Sequence, residues 1–71
     1  MDRKAVSSSE ITSIGYDPIS LVLEVEFKTG GVYQYRGVPA NVHSGLMSAP
    51  SHGTYFNQYV KKAGYRYIRV R

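Results

Sequence analysis

The clearest signal in the chain is a period of two. Leu21, Leu23, Val25 and Phe27 alternate with Val22, Glu24 and Glu26, the pattern of a β-strand with one dry and one wet face. Lys28-Thr29-Gly30-Gly31 supplies a reversal, and Val32-Tyr33-Gln34-Tyr35-Arg36 returns beside it as a second strand. Loop length decides where the tyrosines point. A bulged three-residue loop, Lys28 to Gly30 with Gly30 in the left-handed region, sets Val25 opposite Tyr33 and Leu23 opposite Tyr35, so both rings join the core side. A two-residue loop slips the register by one and turns both rings out. Consecutive glycines suit the first, because two-residue primed turns select Asn-Gly or Asp-Gly over Thr-Gly. Tyr33 and Tyr35 are therefore expected to face inward, with their hydroxyls at the core margin.

Upstream, Glu10-Ile11-Thr12-Ser13-Ile14-Gly15 is a β-branched stretch that reads as a strand, and Asp17-Pro18 marks a turn after it. Residues 1–7 have little to bury and read as a mobile tail; residues 8–71 form one domain. After Val38-Pro39 the period lengthens. Val42, Leu46 and Ala49, with Met47 beside them, recur at helical spacing until Pro50. A second amphipathic segment opens at Ser51-His52-Gly53-Thr54 and carries Tyr55, Phe56, Tyr59 and Val60 as its apolar stripe. Lys61-Lys62-Ala63-Gly64 closes it, with cations at the negative pole and Gly64 as C-cap. Tyr65 to Arg71 has arginines on both parities and reads equally as an edge strand or an unpaired arm. The expected class is α+β: a small antiparallel sheet of about three strands, with a C-terminal fourth if that arm pairs, and two short helices on one side.

Composition adds an asymmetry to this outline. The 71 residues hold nine Lys and Arg against five Asp and Glu, and all five acids (Asp2, Glu10, Asp17, Glu24, Glu26) precede Phe27. Seven bases and no acid follow. Such a balance points to an anionic partner, although charge speaks to association rather than to fold. No apolar run is long enough to span a membrane and no signal-peptide pattern is present, so a soluble, cytoplasmic protein is expected. There is no cysteine, hence no disulfide staple and no thiolate ligand.

Candidate chemistry narrows accordingly. Ser51 and His52 are adjacent, but a nucleophile and base also need an orienting carboxylate, and none follows Glu26. His43 and His52 are the only imidazoles and lack metal-ligand spacing, so neither metal nor cofactor is expected. Ser51, Gly53 and Thr54 at a helix start could seat an anion, or simply cap the helix. Tyr33-Gln34-Tyr35-Arg36 and Tyr65-Arg66-Tyr67 interleave rings with guanidinium groups, the combination that stacks bases while following phosphates. Inward tyrosines would instead leave Arg36 to pair across the sheet with Glu24 and Glu26.

Taken in order, Ser8-Ser9 with Ile11, Ile14-Gly15-Tyr16-Asp17, Leu23 to Phe27 with Gly30, Tyr33-Gln34-Tyr35 with Val38-Pro39, and Ala49-Pro50-Ser51-His52-Gly53-Thr54-Tyr55-Phe56-Asn57 resemble the KTSC domain. That short module stands at the C-terminus of some lysyl-tRNA synthetases and also as free-standing small bacterial proteins. The likeness covers about residues 7–67 and includes the family's central Tyr-x-Tyr at Tyr33 and Tyr35. It implies RNA binding through the synthetase association; no synthetase catalytic domain is present, so aminoacylation is not implied. The expectation is a non-catalytic module that binds RNA or another nucleic acid through Arg36, Lys61, Lys62, Tyr65, Arg66, Tyr67 and Arg69. The alternative is a protein-interaction or homodimerisation module.

Overall fold

The structure is a computed structural model that describes all 71 residues. Five strands form one antiparallel sheet in chain order: β1 (Lys4–Ala5), β2 (Ile11–Asp17), β3 (Val22–Phe27), β4 (Val32–Arg36) and β5 (Arg66–Arg69). Between β4 and β5 the chain makes a helical excursion through α1 (Ala40–Ser48), α2 (His52–Phe56) and a π-helical turn (Asn57–Lys61). The α+β class stands, with more strands than the sequence suggested. The C-terminal segment pairs with β4 as an edge strand, and residues 1–7, which have little to bury, nevertheless supply β1. Two residues cannot show a period, which is why β1 leaves no mark in the hydrophobic pattern.

The β3–β4 turn is the bulged three-residue loop. The Phe27 amide donates to Gly31 O (2.9 Å), the Gly30 amide donates to Phe27 O (2.9 Å), and Gly30 has φ +101°. Leu23 therefore pairs with Tyr35, and Val25 with Tyr33. At the β2–β3 turn, Asp17 Oδ1 accepts from the Ile19 amide (3.0 Å), and Ser20 Oγ donates to Oδ2 (2.8 Å). These bonds, that from Ser20 Oγ foremost, hold the Asp17 carboxyl below its ordinary value.

One face of the sheet carries the core. Ile11, Ile14, Leu23, Val25 and Tyr35 pack with Val38, with Leu46 of α1, and with Phe56 and Val60 of the second helical segment. Tyr16 extends this face: its hydroxyl donates to Val38 O (2.5 Å) and its ring stacks on His43 with centroids 4.5 Å apart. Burial there lowers the His43 pKa.

The other face is a polar network. Arg3 reaches over β2 to Glu24 and, at 3.8 Å, to Glu26, while its Nε donates to Ser13 Oγ (2.9 Å). Gln34 donates to Glu24 (2.8 Å), and Arg71 lies 3.6 Å from Glu26. Arg36 does not join in. Its register partner is Val22, beyond the glutamates, so the expected cross-strand pairing is made instead by the two chain ends.

Candidate functional site

Where β4 and β5 meet the helical excursion, the core face opens into a cleft of about 400 Å³. Its walls are aromatic. Phe27, Phe56, Tyr35, Tyr67 and Tyr33 form a closed circuit of ring contacts, with successive centroids 5.3, 5.3, 5.3, 6.1 and 5.7 Å apart. Edge-on and tilted contacts of this kind fix ring orientation beyond what apolar burial alone would do. Phe56 and Tyr35 are the floor. Tyr67 is the rim, 60% exposed, and Tyr65 lines the same opening. Burial of the Tyr35 phenol, with smaller contributions from the Tyr67 and Tyr33 phenols, pushes its pKa up to about 12.

Register explains the rim. Tyr35 pairs with Tyr67 and Tyr33 with Arg69, so those four side chains share the helix-side face. Arg69 lies over the Tyr33 ring at 5.9 Å from its centroid, and its Nε donates to Arg71 O (3.0 Å). Arg36 pairs with Arg66 one step along, so both project from the opposite face of the sheet. The basic residues expected to act together thus divide: Arg69 and Lys61 belong to the cleft side, Arg36 and Arg66 to the polar-network side. Lys62 follows directly after the π turn and is exposed.

The π turn brings the remaining cleft residues into place. Lys62 N donates to Asn57 O (3.2 Å), five residues back, so each residue advances by less than the roughly 100° of an α-helix. Lys61, five residues after Phe56, thereby comes round to the cleft with Asn57. Tyr59, three residues after Phe56, falls short of the core. It is 51% exposed and packs at a tilt against Tyr55, with centroids 4.4 Å apart, which corrects its placement in the inward stripe.

Glu10, just ahead of β2, also lines the cleft. Its carboxylate lies against Gly53, where a Cβ would stand 2.7 Å from Oε1. Neither Glu10 nor Asn57 was marked out by the sequence as a site residue, because only the docking of α2 on the start of β2 brings them together. All the polar side-chain groups of the cleft, the Glu10 carboxylate, the Asn57 amide, the Lys61 ammonium and the hydroxyls of Thr29 and four tyrosines, lack a hydrogen-bond or ion-pair partner within the protein. On the opposite face, Glu24 and Glu26 are both engaged.

The helix start at Ser51 is arranged as a cap. Ser51 Oγ accepts from the Thr54 amide (3.2 Å) and donates to Thr54 Oγ1 (3.0 Å), and Glu10 already brings a carboxylate against Gly53. His52 Nδ1 lies 2.8 Å from Leu46 O. His43 and His52 are thus held in separate contacts, and no three metal-ligating side chains cluster anywhere in the structure. No helix is long and apolar enough to cross a membrane.

Relatives share this architecture. A KTSC domain protein from Yersinia pestis, known from its crystal structure, superposes with a TM-score of 0.93 at 43% identity, over 99% of this chain and 97% of that one. An uncharacterized protein of Stutzerimonas stutzeri is 47% identical over 70 residues, 99% of each chain. A lysine–tRNA ligase of a Nostoc species is 40% identical over 53 residues, 75% of this chain but 9% of the ligase. The KTSC domain profile itself matches residues 7–67, with the Tyr-x-Tyr pair on β4 at the floor and wall of the cleft, and the chain belongs to the KTSC domain family.

Proposed function

We propose that this KTSC domain is a non-catalytic, cytoplasmic module that binds single-stranded RNA along β5 and the mouth of the aromatic cleft. The observation that carries the reading is the exposed Tyr67 ring on an edge strand between Arg66 and Arg69, with Lys61 across the cleft, none of these cations held by an acid. A ring offers a stacking surface to any base, and flanking cations follow the phosphates. Glu24 and Glu26, the acids of the central sheet, are matched by Arg3 and Arg71 on the far face and subtract little from the field at β5. Lys62 and Tyr65 extend the same edge, Arg36 lies beside Arg66 on the opposite face of the sheet, and Ser51, Gly53 and Thr54 serve the helix cap. The segment shared with lysine–tRNA ligases supports an RNA partner, and it spans too little of those enzymes to carry their activity here.

Binding of short single-stranded RNA measured across a salt series tests this. Each phosphate neutralised contributes about −0.7 to the slope of log K against log salt, so four contacts predict a slope of about −3. Tyr67→Ala and Arg69→Ala should each weaken binding. No salt-sensitive binding at micromolar protein sinks the reading. A second reading rests on the same strand: β5 has one unpaired edge, with Ile68 and Val70 each more than 40% exposed beside it, and such an edge accepts another strand. Sedimentation of a dimer, abolished by Ile68→Lys, favours that alternative.

A further inference from the structure

We infer that the cleft is a base pocket selective for guanine, an inference that rests on the RNA reading above and adds the identity of the base. Stacking on aromatic walls alone would not choose among bases, since every base has a π-face. The polar groups do choose. A carboxylate accepts two hydrogen bonds side by side, and among the four RNA bases only guanine presents two adjacent donors, N1–H and the N2 amino group, on its Watson–Crick edge. Adenine and cytosine present one donor nitrogen beside an acceptor there, and uracil presents one donor between two acceptors. Either arrangement sets an acceptor lone pair against the Glu10 carboxylate.

Glu10 is suited to the role because it lines the cleft and has no partner within the protein, whereas Glu24 and Glu26 are spoken for by Arg3, Gln34, Ser13 and Arg71. Asn57 adds an amide donor for the guanine O6 carbonyl, and Lys61 a cation for the adjoining phosphate. The volume, about 400 Å³, lies in the range of small-ligand sites. A quaternary ammonium ion would also answer to rings plus a carboxylate, but Lys61 in the wall and Arg69 over Tyr33 oppose a cationic guest.

The test compares an all-uridine hexamer with the same hexamer carrying one central guanosine, inosine or adenosine, bound to the full chain at one salt concentration. The guanosine hexamer should bind about tenfold tighter than the all-uridine one, the scale of one bidentate base contact, and the adenosine hexamer should gain little. Inosine, which lacks the N2 amino group, should forfeit most of the gain. Glu10→Gln should collapse the guanosine-to-uridine ratio towards one, with circular dichroism checking that the chain remains folded. Equal binding of all four hexamers, or an unaltered ratio in Glu10→Gln, overturns the guanine pocket and leaves RNA binding standing. Absence of binding to every hexamer overturns the RNA reading instead. Saturable binding of tetramethylammonium that shifts the Tyr35 and Tyr67 resonances in such a protein would assign the cleft to an onium ligand, and overturn the pocket as well.

Discussion

Gly15 lies in the middle of β2, where a residue with a side chain would ordinarily favour the strand by about 0.5–1 kcal/mol. Here the sign reverses. A Cβ at position 15 would stand 2.6 Å from the backbone oxygen of Asp2 and 3.0 Å from Arg3 Cγ, so it displaces the segment that delivers Arg3 to Glu24. Gly15→Ala should cost about 1–3 kcal/mol, read as a lower urea midpoint at constant slope. A midpoint that stays or rises would mean that residues 1–5 do not hold to β2. At this scale much was legible. The orientation of Tyr33 and Tyr35 followed from Gly30-Gly31, because a glycine tolerates the positive φ that a bulged loop requires. The close approach of Asp2 to Gly15 was not legible, since an isolated glycine in a strand looks the same whether it makes room for a backbone or for nothing.

The elements depart from the sequence reading in two places, each with a physical cause. The apolar stripe at Tyr55, Phe56, Tyr59 and Val60 fits an α-helix, and the widening to a π turn has no signature in hydrophobic spacing; it swings Tyr59 out and Lys61 in. β1 is too short for any pattern, yet its arginine neighbour satisfies the most buried acid of the sheet. Burial raises the Glu24 pKa, but hydrogen bonds from Gln34 and Arg3 and the Arg3 charge outweigh it and hold the carboxyl below its ordinary 4.5. A folded-state pKa below the unfolded one contributes stability that is complete above pH 4.5 and is lost as pH falls through the folded value. Glu24→Gln should therefore lower stability at pH 7 by about 1–3 kcal/mol and flatten the decline of the thermal midpoint between pH 5 and pH 3, to be followed by calorimetry. An acid profile as steep as that of the parent chain would place the responsible carboxylate elsewhere.

Across the whole molecule, the net charge of +4 is less informative than its distribution. The acid-free half of the chain does not make one basic face; β5 carries it on both sides of a sheet edge, because arginines at both parities of one strand must point both ways. Each strand pairs with its neighbour in sequence, so β2, β3 and β4 can assemble locally, whereas β5 must wait for the helical excursion from Gly37 to Tyr65 to close. β5 is also exposed throughout and is bonded on one edge only. Native-state hydrogen exchange should accordingly find the amides of Leu23 and Val25 opening only with the whole domain, and those of Ile68 and Val70, which face β4, opening sooner; equal protection would refute this order. One wall of the aromatic cleft is therefore a late and loosely held piece of the fold. A guest bridging Tyr67 and Lys61 would clasp that piece to the rest, raising the melting temperature in proportion to ln(1 + [L]/Kd) and slowing exchange in β5 above all. Unfolding itself thus becomes an assay: an RNA library can be screened by thermal shift, with the protected amides of a single strand reporting where each hit has lodged.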